Sequence, residues 1–108
     1  MKKALFGLLF IATAVQAGME KDAYEKYDMT NLKTDQSLIK IVTVDDVKAA
    51  CNRLRVSEGL KPFTFSVEAC SVWPKDGSFK SCTVYIGKKT NNDILGHEIR
   101  HCFVGNFH

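Results

Sequence analysis

The chain has 108 residues, 45% of them hydrophobic, and a formal net charge of +3, which suits one small folded domain. Two of its fifteen basic residues, Lys2 and Lys3, lie in an acid-free N-terminal stretch; without them thirteen basic residues face twelve acidic ones, a net charge near +1. That balance excludes the basic footprint of a nucleic-acid binder.

Lys2 and Lys3 precede a short apolar run over residues 4–14. Val15, Gln16 and Ala17 then put small or permitted residues at a cleavage position. Residues 1–17 are read as a secretory signal peptide, with Gly18 as the first mature residue. The apolar run is short for a bilayer span and no second one follows, so no membrane association is expected after cleavage. No cysteine adjoins the cleavage point, which speaks against a lipid anchor. The expected location is periplasmic or secreted.

The mature part, on the order of 90 residues, has a limited core and needs staples. Cys51, Cys70, Cys82 and Cys102 all lie within it and read as two disulfides, since no Cys-x-x-Cys pair is present to suggest a four-cysteine metal site.

Residues 18–36 are polar and without a clear period, a flexible N-terminal segment. Residues 37–44 (SLIKIVTV) are rich in β-branched side chains and predict a strand. Thr43 or Asp45 can cap a following helix, on which Val47, Ala50, Cys51 and Leu54 share one face up to about Val56. Gly59 is a candidate left-handed cap.

Residues 63–73 predict a second strand, with Phe63, Phe65, Val67 and Ala69 on one face. Pro74, Lys75, Asp76 and Gly77 signal a turn, and residues 79–87 a return strand. A hairpin centred near Asp76 sets Cys70 almost opposite Cys82. The expected disulfides are therefore Cys70–Cys82 and, by elimination, Cys51–Cys102.

Asn91, Asn92 and Asp93 offer N-caps for a last helix over residues 94–104, broken at Gly105. Leu95, Ile99, Cys102 and Phe103 form its core-facing stripe. The order strand, helix, strand, strand, helix predicts an α+β domain over residues 37–108. Its sheet is small and mainly antiparallel, and its C-terminal helix packs on that sheet.

The chain has three histidines, His97, His101 and His108, all in its last twelve residues. His97 and His101 are four apart and project from one helix face, the spacing at which two imidazoles bind one zinc ion. Glu98 follows the first, placed to take a proton from a zinc-bound water as general base. On a continuous helix His108 would stand about 16 Å from His97 along the axis, too far to share the ion. A left-handed Gly105 can end the helix and turn His108 back.

The segment 96–108 (GHEIRHCFVGNFH) resembles the zinc-binding helix of the zincin superfamily of metallopeptidases. Its ending is similar to the metzincin pattern His-Glu-x-x-His-x-x-Gly-x-x-His, with one extra residue before Gly105. The resemblance implies that His97, His101 and His108 are the metal ligands and Glu98 the catalytic base. It covers about thirteen residues closely. Within residues 1–108 the resemblance does not extend to a Met-containing turn or a downstream glutamate helix, and the lower wall of a zincin cleft is expected from elsewhere.

Three nearby residues have a structural and a functional reading. Asp93 either caps the helix or orients His97. Arg100 is a surface charge or binds a substrate carboxylate. Tyr85 packs in a strand or, as in some zincins, stabilises an oxyanion. The expected function is an exported zinc-dependent hydrolase of the metallopeptidase kind, acting on a peptide or protein substrate, with its cleft completed, where needed, by a partner chain. The strand end at Gly87, Lys88 and Lys89 is a candidate edge for an extended peptide. The alternative is a non-enzymatic, disulfide-stapled binding module with a structural zinc or no metal.

Overall fold

The computed structural model describes residues 8–13, 26, 30, 32–34, 38–75 and 80–106. In chain order the elements are β1 (Leu8–Thr13), β2 (Leu38–Thr43), α1 (Val47–Ser57), β3 (Ala69–Pro74), β4 (Ser81–Ile86) and α2 (Asn92–Val104). The strands form one sheet in the order β1-β3-β4-β2. β3 is antiparallel to both β1 and β4, while β2 lies parallel to β4. The expected α+β arrangement, with the last helix against a mainly antiparallel sheet, is what forms.

The helix after β2 is capped by Asp46, neither Thr43 nor Asp45: its carboxylate accepts from the Ala49 N–H at 3.0 Å. Ala50 and Cys51 are buried on the expected face. The helix ends in a Schellman motif. Gly59, at φ 77°, donates to the Val56 carbonyl, and Leu60 donates to that of Arg55.

The predicted strand over 63–73 is shorter than its composition suggests, because α1 takes its first half. The Phe63 N–H donates to Asn52 Oδ1 at 2.8 Å, and the Arg55 guanidinium lies 4.2 Å from the Phe63 ring centroid. Arg55 Nε also donates to the Lys61 carbonyl at 2.7 Å. Helix side chains thus hold this stretch, and regular pairing begins only at Ala69.

From there the two-residue period of a strand divides the side chains between two layers. Ala69 packs with Ile94 of α2, and Trp73 joins Cys82, Val84 and Cys102 on the same face. Cys70 faces the other way, with Cys51, Val67 and Tyr85 under α1. The helices therefore cover opposite faces of the sheet.

This division corrects the disulfide pairing. The bonds are Cys51–Cys70 and Cys82–Cys102. In the β3–β4 ladder Cys70 stands opposite Tyr85, and Val72 opposite Thr83. One further step would set Cys82 against Trp73, so Cys70 and Cys82 are three positions out of register and on opposite faces. Each bond instead ties one helix to the sheet face it covers. The sequence separations are 19 and 20 residues, for which loop-closure entropy gives about 3 kcal/mol per bond.

The other expected sheet edge also changes. β4 is paired on both sides, by β3 and β2, so its end at Gly87, Lys88 and Lys89 offers no open ladder. The outer side of β3 is held by β1, in which Ala12 stands opposite Ser71 and Thr13 opposite Cys70. β1 falls inside the stretch read as a signal peptide. Of the segment 18–36, the backbone N–H groups of Lys33 and Thr34 donate to the Phe103 carbonyl at 2.7 and 3.2 Å. They satisfy a carbonyl that the end of α2 leaves without a helical partner.

Candidate metal centre

α2 owes its position to its two ends and to its disulfide. At its start the Asn91 side chain accepts from the Ile94 N–H at 2.8 Å. Just before it, Thr90 Oγ1 accepts from the Gly87 N–H and donates to the Glu68 carbonyl, which fixes the helix entry over the end of the sheet. Cys82–Cys102 anchors the last turn. Leu95, Ile99 and Phe103 pack around Trp73 and Cys102, as the apolar stripe predicts.

This packing turns His97, Glu98 and His101 inward. His97 is 5% exposed, and Glu98 and His101 are fully buried. One donor atom from each of the three lies within 4.8 Å of the other two. The two imidazole rings meet edge-on with centroids 5.0 Å apart, and His97 Nε2 is 4.0 Å from Glu98 Oε2. Three ligand-type groups have thus been taken out of water to one point. Burial of such groups is expensive unless hydrogen bonds or a cation compensate it.

His101 is oriented for binding. Its Nδ1 is 2.7 Å from the Gly105 carbonyl oxygen, and since a carbonyl only accepts, Nδ1 carries the proton. In the neutral ring Nε2 is the nitrogen that carries the lone pair. A backbone carbonyl on the far ring nitrogen is the usual support of a metal-bound histidine. The Trp73 ring stacks on His101 with centroids 6.0 Å apart and an interplanar angle of 20°.

Gly105 achieves this by a conformation other than the expected one. Its φ of 76° is positive, but ψ is −145°, so it is not in the left-handed helical region. This corner of backbone space is in practice reserved for glycine. It aims the Gly105 carbonyl back at His101, while the Gly105 N–H donates to the His101 carbonyl at 2.9 Å. His108, the expected third ligand, lies outside the described residues.

Glu98 is held from the sheet. Ser71 Oγ is 2.6 Å from Glu98 Oε1 and 2.8 Å from the Glu98 backbone oxygen. Ser71 is itself fully buried. The sequence reading did not single out Ser71, Trp73 or the Gly105 carbonyl. Regular alternation begins only at Ala69, from which Ser71 and Trp73 follow on the α2 face; Phe63 and Val67, expected on the same face as Ala69, pack instead with Cys51 and Cys70 on the α1 side.

The neighbouring candidates resolve simply. Asp93 is exposed in the first turn of α2, where its charge suits the helix dipole, but Asn91 is the cap. Arg100 is half-buried. Tyr85 packs on the α1 side of the sheet, away from Glu98, in the strand-packing role. Gly96 is exposed and faces open space, so backbone crowding does not demand a glycine there.

Two disulfides fit an oxidising compartment. Among the described residues no helix is long and apolar enough to cross a membrane. Comparison of the chain with family profiles, curated proteins and solved structures finds no match.

Proposed function

We propose that α2 carries a zinc ion and that the chain is an exported hydrolase of the metallopeptidase kind, acting in the periplasm or outside the cell. The observation that carries this reading is the convergence of His97, Glu98 and His101 within 4.8 Å in a buried site. His97 and His101 are the ligands from the helix, and His108 is the third ligand by resemblance to the metzincin ending. An imidazole donor set suits zinc. When bound, zinc supplies Lewis acidity and acidifies a coordinated water. Glu98, gripped at Oε1 by Ser71, presents Oε2 as the base that accepts the water proton and passes it to the leaving amine.

One observation favours a second reading, a closed structural metal site in a binding module. The burial of all three groups is that of a site sealed by protein. Glu98→Gln separates the two. In the hydrolase it keeps zinc at wild-type stoichiometry by plasma mass spectrometry, and cleavage of a peptide library falls by about 10²–10⁴-fold. Wild-type protein that holds zinc but cleaves no peptide, with and without chelator, rejects the hydrolase.

A further inference from the structure

We propose that Ser71 is a positioning residue that keeps Glu98 off the metal, so that the carboxylate acts as a base and not as a further ligand. The inference rests on the zinc reading above. Ser71 comes from the middle of β3, between Ala69 and Trp73 on the face that α2 covers. A serine hydroxyl buried there needs an acceptor. It has one proton and two oxygens within reach, the Glu98 carboxylate at 2.6 Å and the Glu98 carbonyl at 2.8 Å. The contact to the carboxylate is the shorter of the two, and 2.6 Å falls in the range of hydroxyl–carboxylate bonds.

The consequence is geometric. Glu98 is one residue from His97 and close enough to both histidines to bind the same ion. Ser71 holds Oε1 at 2.6 Å, and in that pose Oε2 stands 4.0 Å from His97 Nε2. The tether comes from the sheet, whereas both histidines come from the helix. Packing of α2 on β3 therefore sets how far the carboxylate reaches.

Ser71→Ala removes the tether and little volume. With cobalt(II) in place of zinc, the visible band of the variant is expected to shift and gain the signature of an added oxygen ligand. The kcat for peptide cleavage should fall by about 100-fold with KM unchanged. Ser71→Thr, which keeps the hydroxyl, should retain the wild-type cobalt spectrum. In a Glu98→Gln background, Ser71→Ala should leave the spectrum where Glu98→Gln alone puts it, because the effect passes through the carboxylate. Identical cobalt spectra for wild type and Ser71→Ala, with both folded and disulfide-bonded, overturn the role of Ser71. Absence of cleavage by the wild type overturns the hydrolase reading instead, and the cobalt spectra still decide whether Ser71 sets the ligand count. If Ser71→Ala fails to fold, Ser71→Cys, whose thiol is a much weaker donor, takes its place, and a cobalt spectrum identical to wild type overturns the proposal as well.

Discussion

The Nδ1 of His101 and the carbonyl oxygen of Gly105 lie 2.7 Å apart, so the residue that ends α2 also sets the tautomer of the histidine one turn before it. The local backbone makes this possible only with glycine, at φ 76° and ψ −145°. Gly105→Ala is therefore expected to strain the turn and release the ring. Zinc affinity should drop by about 10–100-fold, the usual cost of losing an outer partner of a ligand. Isothermal titration of the variant beside the wild type checks this; equal affinities would refute the orienting role.

The two disulfides should be separable in their effects. Non-reducing peptide mapping is expected to give Cys51–Cys70 and Cys82–Cys102. Replacing either pair with serines should cost roughly 2–5 kcal/mol in denaturant unfolding. Only loss of Cys82–Cys102, which anchors α2, should also weaken zinc. Loss of Cys51–Cys70, on the opposite face of the sheet, should leave metal affinity close to normal.

The third ligand can be tested directly. His108→Ala is expected to weaken zinc by at least the ~10–100-fold that removal of an outer partner costs. If the variant binds as tightly as wild type, His97 and His101 hold the ion without it. The metzincin-like ending then has no part in the site.

Processing after Ala17 would remove β1 and leave β3 as a sheet edge beside Ser71. Mass spectrometry of exported protein is expected to show Gly18 as the first residue. The chain starting at Gly18 should exchange its β3 amides faster than the intact chain and take up zinc faster at the buried cluster. A functional pool that retains Met1 would mean that β1 is a permanent strand of the sheet.

The local features of α2 were legible in the sequence alone. The i, i+4 spacing places His97 and His101 on one face, Asn91 lies among the cap candidates, and the apolar stripe from Leu95 to Phe103 faces the core. These depend on contacts within one or two helical turns. The same holds for the end of α1, where Gly59 supplies the positive φ. The α+β order followed from the change between the two periods of the hydrophobic pattern.

What tertiary structure decided are the pairings between elements. Alternation says that Cys70 and Ser71 face opposite ways, but not which helix each meets. That depended on the β3–β4 register, and three positions of slip moved Cys82 from Cys70 to the face of Cys102. The capture of Phe63 by Asn52 and Arg55 likewise ended a strand that composition alone would have extended. The grip of Ser71 on Glu98 joins residues 27 positions apart, from a strand and a helix that fix each other only once packed. Local propensity carries no information about such a distance; the two faces of one sheet, each stapled to its own helix, supply it.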